Sequence, residues 1–302
     1  ILWPAKVGAF TLVMGRHVCH QDTRDLPFSY LIEQESTSYI VPGANLKSVG
    51  TIRDAKKWPQ RDRRTDPDRL DCINFNLLSP YTIRKMVKGR EILQSLQAVS
   101  GDKSDTYSFQ SGLIRRSSLQ KGLRLYSMAI DKFLGNSLIT RIMNSSFSTL
   151  DELHEALRPT ASHGDGEWID VGGMIVPDNA FNALLDHVEN GTVSDIRVVE
   201  ARLREMHENY YAYEWKWAYD AIRDCYGIDL NTASVGELAG LVNRWKESVI
   251  SLDNLIYEDA RKDFALSSMS DFESDPFVAS VRDHIKDKSA LGELALGRLE
   301  SI

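Results

Sequence analysis

Five residues near the start of the chain, His17, Cys19, His20, Asp22 and Asp25, carry groups that could do chemistry together. Imidazole titrates near neutral pH, so His17 or His20 could take a proton from a hydroxyl or an amine as a general base. The spacing of the five matches no standard zinc site, so no metal is expected. The competing reading is a polar loop that exposes two histidines.

A second group follows. Lys47, Arg53, Lys56, Lys57, Arg61, Arg63, Arg64 and Arg69 put eight cations within 23 residues, against four aspartates, with Trp58 among them. Guanidinium forks match phosphate oxygens, and an indole can stack on a base or a sugar ring. Lys47, Arg53, Lys57, Trp58, Arg61, Arg63 and Arg64 are therefore the candidate anion-binding residues. The alternative is a solvated loop whose arginines pair with Asp54, Asp62, Asp66 and Asp68.

Further candidates are weaker. Arg115, Arg116, Lys121 and Arg124 surround Ser117-Ser118 at a predicted helix start, where free N–H groups attract anions, or simply line an exposed helix face. Tyr210, Tyr211, Tyr213, Trp215, Trp217 and Tyr219 form an aromatic run best read as core. The glycines at 164–173 fit no phosphate-binding spacing.

The elements that must position these groups are legible from periodicity. Ile1, Val7, Val13 and Cys19 fall six residues apart, and Ile40, Leu46 and Ile52 keep the same step. Helices repeat near three and four and strands alternate in twos. A step of six predicts the end of a left-handed parallel β-helix over residues 1–53, with Gly8 and Gly43 at or beside its corners. A solenoid needs at least about three repeats, so further coils are expected upstream. The break at 17–31 is read as a loop that leaves the β-helix and returns.

Beyond it the pattern is mainly helical. The stretch 53–69 reads as a loop with one helical turn. Ser79-Pro80 opens a helix that Gly101 ends. Residues 100–112 read as a loop. A helix starts at Ser118 and is interrupted at Gly135-Asn136. Thr149 and Glu152 form a capping box for a short helix. A short extended pair is expected over 167–176, followed by a helix stopped by Gly191. Ser194–Tyr226 reads as one long helix and Val235–Ile256 as a second, both with 3-4 apolar spacing, so an antiparallel hairpin is predicted. A last helix is expected from Asp275-Pro276 to about Lys286.

Composition bounds the rest. The chain has 302 residues, 42% hydrophobic and 26% charged, with net charge -7. This is ordinary for a globular protein and makes the surface as a whole no lure for nucleic acid. No apolar run has the length of a membrane helix. Three widely spaced cysteines argue against a disulfide framework, so a reducing, cytoplasmic setting is expected.

The strings "ILWPAKVGAFTLVMGRH", "LPFSYLIEQ", "VGTIRDAKKWPQRDRRTDP" and "NLLSPYTIRKMVKGREIL" resemble the second half of the bacterial family DUF4954, a domain of unknown function. The likeness is strongest over residues 1–143, and the helical tail reads as a separate domain unit. The resemblance implies an upstream β-helix of hexapeptide repeats and a loose kinship to sugar-nucleotide transferases. It transfers no catalytic residue.

The fold expected is therefore mixed α and β: β-helix coils over 1–53, loop and helices over 54–158, and a helical domain with a long hairpin over 167–302. Two functions compete. One is binding of, or transfer onto, a sugar nucleotide or other phosphorylated ligand, with His17 and His20 catalytic. The other is a non-catalytic structural and oligomerisation module. No cofactor, nucleic acid or membrane is expected, and a homo-oligomer is.

Overall fold

The computed structural model describes residues 4–65, 71–100, 104–266, 272 and 275–302. In chain order, strands β1 (Leu12–Met14), β2 (Tyr30–Gln34) and β3 (Thr37–Val41) precede a short 3-10 turn (Ala44–Lys47) and helices α1 (Val49–Arg61) and α2 (Pro80–Ser100). Strands β4 (Thr106–Phe109) and β5 (Gly112–Arg115) lead into α3 (Arg116–Asn144) and α4 (Leu150–Leu157). Strands β6 (Trp168–Val171) and β7 (Met174–Pro177) are followed by α5 (Asp178–Glu189), α6 (Ile196–Glu208), α7 (Tyr210–Tyr226), α8 (Val235–Leu266) and α9 (Pro276–Glu300). The chain divides into two compact units, one of residues 1–54, 82–132 and 246–289, the other of 55–81, 133–245 and 290–302.

The first unit is built on a five-stranded sheet of order β1-β2-β3-β5-β4. β1 runs parallel to β2, with Leu12 opposite Tyr30 and Met14 opposite Ile32. β2 and β3 form an antiparallel hairpin, Leu31 opposite Ile40. Its turn residues, Glu35 and Ser36, both have positive φ (50° and 64°). That is the turn whose twist suits two-residue hairpins, although Asn-Gly is its usual sequence. Glu33 fixes it by accepting the Ser36 N–H at 2.6 Å. Inside, Leu26, Phe28, Leu31, Ile40, Ile83 and Met86 are fully buried. Tyr126 of α3 is buried with them and donates its hydroxyl to the Pro27 carbonyl at 2.8 Å.

These pairings correct the sequence reading. No left-handed β-helix forms among the described residues. Parallel pairing is confined to β1 with β2, the single pair Tyr39 with Leu113, and a bridge between Lys6 and Asp22. Val7 and Val13, expected in a β-helix core, are 38% and 37% exposed. Ile40 and Leu46 are buried, but in an antiparallel strand and a 3-10 turn, and Ile52 lies on a helix. The step of six thus crosses three kinds of structure and reports none of them. Ile1, Asp66, Asp68 and Arg69 lie outside the described residues.

The second unit packs helices around aromatic side chains. Trp168, Tyr210, Trp215, Trp217 and Trp245 are buried, together with Leu138, Ile142, Leu153 and Leu157. The indole N–H of Trp215 donates to the Leu157 carbonyl at 2.9 Å. Phe133 meets Trp217 edge-on at 6.0 Å. The extended pair expected over 167–176 is the hairpin of β6 and β7. Its inner residues Met174 and Val176 pack with Ala180, Leu203 and Met206.

The long antiparallel helical hairpin does not form as read. Its first arm is two helices, α6 and α7, separated at Asn209. α6 has no buried residue, and its Ile196 is 75% exposed. The second arm reads correctly as a buried stripe: Leu238, Val242, Trp245, Val249, Leu252 and Ile256 are all in the core. α1, read as a loop, is helical despite Pro59. The loop expected over 100–112 contains β4 and the turn into β5.

Candidate functional site

His17 is buried, and both of its ring nitrogens are occupied. Nε2 lies 3.1 Å from the Met14 carbonyl oxygen, which can only accept. Nε2 therefore carries the proton, and Nδ1 accepts from the Ser38 hydroxyl at 2.8 Å. No lone pair is left to take a proton from a substrate, so His17 serves the sheet. His20 and Cys19 are exposed. Asp22 is held by Arg24, whose side-chain hydrogen bonds keep its carboxyl below the ordinary range. Asp25 pairs with Lys85 at 2.8 Å. Among the described residues no group of three or more His, Cys, Asp or Glu side chains could hold a metal ion.

The basic group is spread over both units. In the first, Lys47 faces Asp259 at 3.9 Å, and Asp259 also accepts the Val49 N–H at the start of α1. Arg53 is half-buried. In the second, Arg64 is spent on Asp62 and Asp71, with contacts of 2.6–3.0 Å. Lys57, Trp58, Arg61 and Arg63 are exposed, the indole by 59%. On α1, Lys57, Trp58 and Arg61 share a face, being three and four residues apart. Arg115, from the other basic group, bonds Gln34 and lies over Tyr39, and Arg116 pairs with Asp105.

Two buried polar clusters emerge that the sequence reading missed. In the first unit, Asp253 on α8 is almost fully buried. Its Oδ2 lies 2.6 Å from His284 Nδ1 on α9, and its Oδ1 lies 3.3 Å from Lys132 Nζ on α3. Burial alone would raise this carboxyl, but His284 and Lys132 hold it below its ordinary value. Ser248 donates to Asp131 alongside, at 3.0 Å.

In the second unit, Glu214 of α7 sits against Tyr210, Ser137 and Arg141. Burial pushes its carboxyl up to about 7, only partly offset by the nearby Tyr210 and Ser137 hydroxyls and by the Arg141 charge. The Tyr210 hydroxyl is buried outside good hydrogen-bond geometry, and burial drives its pKa up as well. Arg141 lies over the Trp215 ring at 5.5 Å, and its own pKa is lowered by burial.

Both clusters had a signal in the sequence. Asp253 lies between Val249, Leu252 and Ile256 on an apolar stripe, and Glu214 lies four residues after Tyr210 and three before Trp217. A carboxylate on the core face of a helix must find partners or be neutralised.

Residues 1–97 match the model of a family described as a domain of unknown function, DUF4954. This supports the resemblance over all four strings, but the match stops short of the likeness expected to residue 143. Residues 149–272 match a second family model, also described as a domain of unknown function, DUF6819. No curated protein and no solved structure matches the chain. No described helix is long and apolar enough to cross a membrane.

Proposed function

We propose that this chain is a non-catalytic structural and assembly module that pairs with a second copy of itself along β1. The observation that carries this reading is the open edge of the sheet. β1 is an edge strand, and Phe10, Leu12, Val13, Met14 and Val18 are each 37–50% exposed around it. An edge strand without charge or proline is a template for another strand. β1 is Leu-Val-Met. A two-fold contact centred on Val13 would set Leu12 opposite Met14 and Phe10 opposite Arg16 of the second copy, with no like charges facing. The three cysteines are free thiols, which supports the expected reducing, cytoplasmic setting. The test is mass in solution. Wild type should be a dimer by light scattering, and Val13→Lys should be a folded monomer. A monomeric wild type at high micromolar concentration, or a dimeric Val13→Lys, overturns the reading.

One observation favours a second reading, binding of a sugar nucleotide or other phosphorylated ligand: the exposed face of α1 with Lys57, Trp58 and Arg61. Titration calorimetry with a nucleotide sugar tests it. Binding that Arg61→Ala abolishes would support it, and no binding at millimolar concentration would end it.

A further inference from the structure

We infer that Arg141 and Glu214, where α3 meets α7 in the second unit, form a binding site for a carboxylate. The site is independent of the β1 edge. Ser137 and Arg141 lie one turn apart on α3, and Tyr210 and Glu214 lie one turn apart on α7, so each pair shares a helix face. The Glu214 carboxyl sits beside the hydroxyls of both Ser137 and Tyr210, which brings the two faces together.

The polar groups at this place are short of partners. Tyr210 is 3% exposed, and its hydroxyl oxygen has no hydrogen-bond partner. Arg141 is half-buried, and its guanidinium forms no hydrogen bond and no ion pair with the described residues. The charge that acts on it is that of Glu214, which lies outside ion-pair distance. Arg141 is held instead over the Trp215 ring, 5.5 Å from its centre. Contact through the flat face leaves the N–H groups of the guanidinium unspent, because they lie in its plane. Partly buried donors of this kind are normally matched by an acceptor. Arg141 and Glu214 both keep some exposure, so a ligand can reach them from solvent.

A carboxylate is the acceptor that fits. It is planar, and its two oxygens match the guanidinium fork. No second cation acts on either Arg141 or Glu214, so a singly charged anion suits the site better than a phosphate. Glu214 then sets the proton requirement. Ionised, it would repel a second carboxylate. Protonated, it donates an O–H to one. Its carboxyl is held near 7 by burial, and the groups facing it are Tyr210 from α7 and Ser137 and Arg141 from α3. Carboxylate and proton must therefore favour each other's binding to the same extent.

The probe is sodium acetate, titrated into the full chain and followed at the Arg141 Nε–H by NMR and by the shift in thermal unfolding. A saturable effect is expected, with affinity falling roughly tenfold between about pH 6 and about pH 8 as Glu214 ionises. Arg141→Gln should weaken binding at least about tenfold, the equivalent of one charge-assisted bond. Arg141→Lys should recover part of it, since an ammonium keeps the charge without the fork. Glu214→Gln should lose the pH dependence. Arg141 makes no bond to the described chain, so folded variants are expected, and circular dichroism checks this. A short peptide with a free C-terminus and its amidated form separate two sources of the group. Binding of the free peptide alone assigns a chain end, and binding of acetate alone assigns a small molecule. The inference is overturned if neither binds, if chloride at matched ionic strength has the same effect, if affinity is independent of pH, or if folded Arg141→Gln binds as wild type does.

Discussion

Gly135 of α3 lies directly against Trp245 of α8: a Cβ built on the glycine would fall 2.3 Å from the Trp245 Cβ. The neighbouring Asn136 accepts the Trp245 indole N–H at 2.8 Å. The Gly-Asn pair, which reads in the sequence as a helix break, is thus a seat for a tryptophan in the middle of one continuous helix. The glycine removes a side chain where the indole needs room, and the asparagine satisfies a donor that burial would otherwise leave unpaired.

Gly135→Ala should therefore destabilise the protein, although alanine is the better helix former. The propensity gain is about 1 kcal/mol. The clash is with the stem of a fully buried ring that has no room to move, and overpacking of this kind costs roughly 1–3 kcal/mol or more. A net loss of about 1–2 kcal/mol in urea unfolding is expected. In a Trp245→Leu background the alanine should cost much less, and an unchanged cost would show that the contact is not the cause.

The correction at the start of the chain makes an opposite pair of predictions. Val7 is 38% exposed, whereas Ile40 is 1% exposed. Val7→Asp should change stability by about 0.5 kcal/mol or less, as surface substitutions do. Ile40→Asp puts an unpaired charge between strands and should cost on the order of 3–5 kcal/mol, or prevent folding. Thermal unfolding of the two variants decides this, and a severe Val7→Asp defect would show that Val7 is not a surface position.

How much was legible follows from the range of each signal. Helix ends written in local chemistry read well. Pro80 opens α2, and Thr149 accepts the Glu152 N–H. Hairpins whose turns lack glycine were missed. Glu35-Ser36 and Gln110 adopt positive φ because the strands around them pair, which no local preference announces. The hexad step misled because Ile40, Leu46 and Ile52 are apolar for separate reasons. The engagement of His17 was not legible because Ser38, its partner, is 21 residues away. The two carboxylate clusters were legible as misplaced charges, but their partners come from other helices.

Arg298 near the end of α9 is a further case of a distant partner. Its guanidinium donates to the carbonyls of Ile142, Met143 and Ser145 at 2.5–2.9 Å, and it lies over the Phe147 ring at 4.5 Å. These carbonyls belong to the last turn of α3 and the residue after it, where backbone acceptors lack helical partners and a cation is favoured. Arg298→Ala should cost about 2–3 kcal/mol, in line with loss of charge-assisted bonds from a half-buried site. Arg298→Lys should recover only part, since an ammonium cannot span three carbonyls as a fork does. Equal stability of the alanine and wild-type proteins in urea would rule out this role.

Glu214 makes stability depend on pH in a predictable direction. Its carboxyl titrates near 7 when folded, against an ordinary value of 4.5, and burial is the main cause. Below the ordinary value it is protonated in both states, and its contribution is fully present. Between the two values the folded protein holds a proton that the unfolded chain releases, so stability falls as pH rises. Above the folded value the loss is complete. At 1.36 kcal/mol per unit, the loss across the whole window is roughly 3 kcal/mol. Asp253, whose pKa is lowered, acts at the acid end and leaves this window alone. Glu214→Gln keeps the shape and cannot ionise. It should lie close to wild type at about pH 5 and exceed it at about pH 8, by roughly 3 kcal/mol. Urea unfolding of both proteins at the two pH values measures this. Parallel pH profiles for the two proteins would show that the carboxyl is not held neutral in the folded state.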